Sequence, residues 1–402
     1  MLQNLRFTVL AALAGLIALH PSYARPGAEP AQTSLPAKSQ KLPHPQPLGH
    51  GVALERDPTT SELHSSAKDS SSLAGGISGE GAIHSRVTLV QVACTVTAPD
   101  GTQIRGLTQE DFRIFEDSAA QEIASFDASA TPASIALVLD VSPSIFRELA
   151  EMRGAAHSLA ANLSPADEIA VVSFSTEAHL LLPFSTDRAL LDRAIQSKNL
   201  AGVENSSESN IYESVFLAAR ELFRGRTGRK AIVLLTDGQD SGLGLTWDAS
   251  SAQPRGGAAS SQLVFDDVAR ELGAGGIALF IVSTENRPRG MTPEWLEAHQ
   301  GAMLVTPESR KQDMPHYTLY LAELARRVGG QLYFLREIGD LSEIYRRIAL
   351  TISAQYTLGY YPSAGAARPG WRSLRVELAG DPKAPPGSKL THRGSYYVSA
   401  FP

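Results

Sequence analysis

The chain has 402 residues, 43% of them hydrophobic, and a formal net charge of −6 at pH 7. That length allows two or three domains with sizeable cores, and the composition is that of a globular rather than a disordered protein. The mild charge, with no basic block, removes the electrostatic footprint of a nucleic-acid partner.

Residues 1–24 read as a secretory signal: Arg6 gives a positive start, Phe7 to Leu19 an apolar stretch, and Ser22-Tyr-Ala24 a small-x-small cleavage site. The apolar stretch is shorter than the roughly 20 residues that span a bilayer. No later stretch reaches that length, so the expected mature protein has no transmembrane segment and works in the periplasm, in the cell envelope or outside the cell. Residues 25–83 are rich in Pro, Ser, Gly and Ala and read as a disordered linker that cannot bury a core of its own.

An N-terminal β segment is expected over 84–130, with strands at 87–97, 111–116 and 121–126 separated by turn-formers such as Pro99-Asp100-Gly101. Cys94, the only cysteine, lies in the first of these strands, reads as core filler and excludes an intrachain disulfide. From 131 to 353 strands and helices alternate, the pattern of an α/β domain: a doubly wound, mainly parallel sheet with helices on both faces. Ile135 to Leu139 is a continuous β-favouring run, as in a central parallel strand covered on both sides.

Asp140 then stands where open α/β sheets place their ligands, at the carboxyl end of the strand. The spacing Asp140-x-Ser142-x-Ser144 lets one turn aim a carboxylate and two hydroxyls at a point, which suits a hard cation that prefers oxygen. Ile145, Leu149, Met152, Ala156, Leu159 and Leu163 form one helical stripe behind it, ended by Ser164-Pro165. Ile169 to Phe174 is the next strand, with Ala178 to Leu182 as an antiparallel hairpin partner. A second apolar strand, Lys230 to Thr236, delivers Asp237-Gly238. Gly-, Ala- and Ser-rich residues near 242–261 and Pro-punctuated residues near 286–316 read as insertions.

Residues 354–402 return to β signals, expected to pair with 84–130 as one small β domain, because neither piece is large enough to be stable alone. Tyr356, Tyr360, Tyr361, Trp371, Tyr396 and Tyr397 fall in this part and read as core in preference to a carbohydrate or peptide surface.

On three phrases the chain resembles the von Willebrand factor type A domain, a Rossmann-like fold, and within it the bacterial exported proteins related to that domain. They are Asp140-Val-Ser142-Pro-Ser144, Ser207-Glu-Ser209-Asn-Ile-Tyr212, and Ile232-Val-Leu-Leu-Thr-Asp237-Gly238. Pro143 replaces the usual Gly between the serines, and Ser209 stands in for the usual threonine but keeps its hydroxyl. The resemblance implies a metal-ion-dependent adhesion site with Asp140, Ser142, Ser144, Ser209 and Asp237 as ligands. It implies Mg²⁺, with Mn²⁺ or Ca²⁺ as alternatives, and a protein partner that supplies an Asp or Glu carboxylate as the last ligand. Plainer readings stand beside it: Asp140 and Ser142 as helix caps, and a structural or assembly protein with a degenerate site. A metal-assisted hydrolase is disfavoured, since Glu208 and Asp240 are weak candidates for a base and no nucleophile elbow, P-loop or zinc signature is present. The expectation is a binding protein and not an enzyme.

Overall fold

The computed structural model describes residues 42–49, 52–56, 63–67, 89–128, 131–196, 200, 209–240, 245–248, 253–256, 263, 265–285, 316–362, 370–379 and 383–398. The expected signal sequence and nearly all of the second insertion lie outside them. Among the described residues no helix is long and apolar enough to cross a membrane.

In chain order the first elements are β1 (Gln46–Pro47) and the hairpin β2 (Val52–Arg56) with β3 (Leu63–Ala67). Then come β4 (Val90–Thr97), β5 (Phe112–Glu116), β6 (Ala119–Gln121) and β7 (Ile123–Asp127). The α/β domain runs β8 (Ala133–Asp140), α1 (Phe146–Ala161), β9 (Glu168–Phe174), β10 (Ala178–Ser185), α2 (Arg188–Ala194), α3 (Ile211–Leu217) and β11 (Arg229–Thr236). After a hairpin of β12 (Leu245–Asp248) and β13 (Gln253–Gly256) it continues with α4 (Phe265–Gly275), β14 (Ile277–Ser283), α5 (His316–Val328), β15 (Gln331–Phe334), α6 (Leu335–Ile338) and α7 (Leu341–Ser353). The chain closes with β16 (Tyr356–Tyr360), β17 (Gly370–Leu378), β18 (Lys389–His392) and β19 (Ser395–Val398).

The central sheet has the order β1-β10-β9-β8-β11-β14-β15. β9, β8, β11, β14 and β15 are parallel, while β10 turns back antiparallel on β9, as the hairpin reading expects. Strand alternation explains the two faces. Ile135, Leu137 and Leu139 of β8 join one core with α1, α2 and α7, and Ala136 and Val138 join the other with α3, α4 and α5. All eight β8 residues are buried, so this strand has no polar side to give to solvent, and its one carboxylate needs internal partners.

One expectation is corrected here. Within the stretch 25–83, read as a linker, β1 adds antiparallel to the edge of β10, and Leu48 continues the contact by donating its amide to Ala178 O at 2.8 Å. Leu42, Leu48 and Leu63 pack against the two cores of the α/β domain. A segment with so few apolar residues builds no core of its own, but three leucines suffice to dock it on a core that already exists.

The remaining strands form a β sandwich from both ends of the chain. Its sheets are β18-β4-β16-β7 and β19-β17-β5-β6, with β16 lying between β4 and β7. Tyr356, Tyr360 and Tyr396 are buried in this core, Trp371 and Tyr397 are half-buried, and Tyr361 is exposed. The Tyr360 and Tyr396 hydroxyls both donate to Glu116 Oε2, at 2.5 and 2.8 Å. The sandwich is fastened to the α/β domain by Arg393. This residue is 7% exposed, and its guanidinium donates to Gly273 O at the end of α4 (2.8 Å) and to Gln91 O in β4 (2.6 Å). A positive group on the last carbonyls of a helix also meets the negative end of its dipole. Around it Arg327 lies 5.2 Å from the Phe265 ring and 5.5 Å from that of Trp371, and Arg270 lies 5.2 Å from that of Tyr397.

The chain enters and leaves the α/β domain at the amino ends of the strands, and one buried side chain holds both crossings. Arg229 donates to Thr131 O at 2.8 Å and to Ile352 O at 2.5 Å, and faces Asp167 Oδ1 at 3.7 Å. Asp167 is fully buried and accepts the amides of Ala133 and Ser164. Arg229→Met should therefore cost about 3–5 kcal/mol, because it leaves a carboxylate without its cation in the interior. Urea denaturation measures this, and a loss under about 1 kcal/mol would show that the two amides and the neighbouring Arg188 satisfy Asp167.

Candidate metal centre

Asp140 is the last residue of β8, and alternation turns it to the same face as Ala136 and Val138. Leu235 is the register partner of Leu139, so the next residue along β11, Thr236, comes beside Asp140. The Asp140 carboxylate is fully buried and accepts hydrogen bonds from three residues. Ser142 N donates to Oδ1 at 3.0 Å, Ser209 Oγ to Oδ1 at 2.9 Å, and Thr236 Oγ1 to Oδ2 at 2.8 Å. Thr236 Oγ1 in turn accepts Gly238 N at 3.0 Å. Gly238 has φ +89°, a left-handed turn residue for which glycine pays no steric cost. Asp237, between them, is 4% exposed, and its Oδ1 accepts Gln239 N at 2.9 Å.

Each loop is tied to its neighbours by main chain. Val141 N donates to Phe174 O and Asn210 N to Ser175 O, both at 2.8 Å. Asn210 Nδ2 reaches Thr176 O at 2.7 Å, and Asp240 Oδ1 accepts Tyr212 N at 3.3 Å. Asp240, a weak candidate for a general base from sequence, therefore binds the first turn of α3. Pro143 opens a 3-10 turn, Pro143–Ile145. Its missing amide costs nothing at the first position of a helical turn, so the departure from glycine suits this backbone.

Of the five expected site residues, Asp140 and Ser209 are in direct contact, and Ser142 contacts Asp140 through its amide. Asp237 follows the threonine that contacts Asp140. Ser144 lies in the 3-10 turn, and its side chain is outside the described set, as is Glu208. Thr236 was not singled out from sequence. The signal for it is its place one residue before Asp237 on a strand parallel to β8, and that becomes visible only with the strand order in hand.

Burial pushes the Asp140 carboxyl above its ordinary value, and the bonds from Ser142, Thr236 and Ser209 pull against that rise. Tyr212 is likewise held well above the ordinary phenol value by burial, with Asp240 adding to it. A donor set of two carboxylates and hydroxyls, without nitrogen or sulfur, fits a hard divalent cation. Among the described residues no group of three or more His, Cys, Asp or Glu could hold a metal, so a cation here would depend on the hydroxyls. Ser209 gives its proton to Asp140, so its oxygen is an acceptor chemically suited to a cation. At the same edge the Ser175 hydroxyl is buried and has no hydrogen-bond partner among the described residues.

Residues 135–239 match the von Willebrand factor type A domain family, a span that holds all five expected residues. No curated protein matches the chain. Among solved structures it is similar to the conserved hypothetical protein BatB from Bacteroides thetaiotaomicron, with 17% identity over 55% of this chain and 98% of that one, at a TM-score of 0.36. It is also similar to a von Willebrand factor type A protein from Catenulispora acidiphila, with 12% identity over 78% and 73% of the two chains and a TM-score of 0.37. A third likeness is proximal thread matrix protein 1 from the mussel byssus with a zinc-occupied MIDAS motif, with 16% identity over 59% and 49% and a TM-score of 0.35.

Two outcomes are expected of the Asp140 cage. Thr236→Val removes a donor from a buried carboxylate and an acceptor from Gly238 N, and should lower stability by about 1–3 kcal/mol in urea. Because the folded carboxyl titrates above the ordinary aspartate value of 3.8, its ionisation opposes folding. That penalty is absent at lower pH and grows as pH rises from about 4 through the raised value. Asp140→Asn carries no such charge, so in chelator its stability relative to wild type should increase with pH across this window. A constant difference would show that the carboxylate bears no burial penalty.

Proposed function

Since the chain carries a von Willebrand factor type A domain, we propose that Asp140, Ser142, Ser144, Ser209 and Asp237 hold a divalent cation through which the protein binds an acidic group of a partner protein. Mg²⁺ is the first choice, with Mn²⁺ and Ca²⁺ as alternatives. The reading is supported above all by the 2.9 Å bond from Ser209 Oγ to Asp140 Oδ1, which ties together two loops 69 residues apart in sequence.

Asp140 accepts three donors, so its part is to fix the hydroxyl oxygen of Ser209 and the backbone at Ser142. Ser142, Ser144 and Ser209 present neutral oxygens, and Asp237 adds the second negative charge. When bound, the cation supplies a positive centre with a position left for an outside carboxylate. Two carboxylates at most neutralise a divalent ion, so a partner's Asp or Glu is attracted rather than repelled. The proposed activity is binding, with no catalytic residue. With residues 1–24 read as a signal, the setting is exported: periplasm, envelope or medium.

A second reading, an assembly protein with a degenerate site, draws on the same carboxylate. Hydrogen bonds from Ser142, Ser209 and Thr236 satisfy Asp140 without an ion, so the loops hold their places either way. Thermal unfolding in Mg²⁺ and in chelator separates the two. Saturation at about 100 times Kd should stabilise the wild type by about 2.7 kcal/mol, and Asp140→Ala should show no cation effect. Capture of a partner from envelope extract should fail in chelator and with Asp140→Ala. A wild-type protein indifferent to Mg²⁺, Mn²⁺ and Ca²⁺ would leave the degenerate-site reading standing.

A further inference from the structure

The N-terminal segment 42–49 meets α3 at the point where that helix is irregular. After Ile211–Leu217 the helix widens into a π turn, Ala218–Leu222. Such turns are rare and hold one residue more than an α turn, so the neighbours must favour a geometry that an isolated helix would not adopt. The far end of the helix is anchored. Phe223 is buried and packs edge-on to Phe184 at 5.2 Å. Arg226 lies 3.9 Å from the same Phe184 ring and bonds Glu168 at 2.5 Å and Ser134 at 3.0 Å. The near end begins two residues after Ser209, whose hydroxyl is on Asp140.

Leu217 precedes the π turn and Glu221 lies within it, and Gly49 meets both. Its amide donates to Glu221 Oε1 at 2.7 Å. Its φ is +79°, which strains any residue with a side chain, and a Cβ built there would lie 3.1 Å from Leu217 Cδ1, so the backbone sits close on the leucine. Leu48 packs into the same core, and β1 on β10 fixes the approach.

We propose that the segment 42–49 is a strap that holds the π turn of α3 and, through it, sets the position of Ser209. If the strap leaves, the extra residue can be expelled and the turn can close to α. One flank of the helix then moves by about 1.5 Å along the axis and roughly 100° around it. Phe223 and Arg226 pin the carboxyl flank by side-chain packing and ion pairing, so the displacement falls on Ile211–Leu217 and on the serine before it, where it strains the bonds from Asn210 to Ser175 and Thr176 and from Tyr212 to Asp240. The strap is held by a two-residue bridge, the Leu48 amide on Ala178 O, a surface bond to one carboxylate, and two leucines, Leu42 and Leu48, on opposite cores. A force or partner that draws the N-terminal segment away therefore reaches the site without breaking either core. The effect on cation affinity rests on the metal-centre reading; the effect on the helix does not.

Hydrogen exchange on the full chain in chelator tests the helix effect, and Mg²⁺ calorimetry tests its consequence. Leu48→Asp with Gly49→Pro removes the apolar anchor, the amide donor and the permitted φ. This variant should speed exchange of amides 211–217 by about tenfold and shift the Mg²⁺ Kd by about fivefold. Gln46→Cys with Leu180→Cys joins register partners, and the one native cysteine, Cys94, is buried. Exchange at 211–217 should be slower in the oxidised form of that pair than in the reduced form. The strap is overturned if 42–49 lose protection while 211–217 exchange as in wild type, or, should the release variant not fold, if the oxidised and reduced pair exchange alike there. A wild-type chain that binds no Mg²⁺ would remove the metal centre, and the exchange result would still decide the strap.

Discussion

The carboxyl edge of the α/β domain is organised around the burial of the Asp140 carboxylate. A parallel strand covered on both faces gives every residue to the interior, and β8 ends there on Asp140. Water is not available to that carboxylate, so the chain supplies an amide from its own turn, a hydroxyl from the next strand and a hydroxyl from a loop 69 residues on. Each bond answers a desolvation cost, and each also fixes a loop. The order of the three loops at the carboxyl edge is therefore a consequence of satisfying a single group, and the same carboxylate that loads the fold with a penalty organises the oxygens that a cation would use.

How much of this was legible in the sequence depends on how local the signal is. The run Ile135 to Leu139 announces its strand, and the antiparallel return at 178 and the stripe from Ile145 to Leu163 follow from patterns within a dozen residues. Asp140 and Asp237 are visible because each ends such a run. Ser209 is different: nothing in its own neighbourhood marks it, and only the resemblance of the surrounding phrase singles it out. Thr236 escaped because its role comes from lying beside Asp140 across two parallel strands, a relation that no single stretch contains. β1 escaped for a related reason, since its leucines are too few to signal a strand and take their meaning from the sheet edge they cover.

The β sandwich shows the complementary case. Its two halves are separated by the whole α/β domain, yet each reads as strands too short to stand alone, and that insufficiency itself predicts that they pair. β16 fills the gap between β4 and β7 directly after α7 ends. What the sequence did not disclose is how the pair is secured. Arg393, in the turn between β18 and β19, places its guanidinium on the end of α4. Burial lowers it to about 10, still protonated at neutral pH. A single arginine in a short turn carries no pattern, and its partners are carbonyls, which every residue has.

Arg229 gathers the entering and leaving chain at one end of the strands, and the Asp140 cage lies at the other. A tether to the sandwich and a grip on a partner would thus pull on opposite ends of β8. Tension between them runs along the strand axis, so the ladders on its two sides resist it together, in shear, rather than opening one bond after another as they would if peeled. Such an arrangement bears load best in the direction in which an anchored binding protein would feel it.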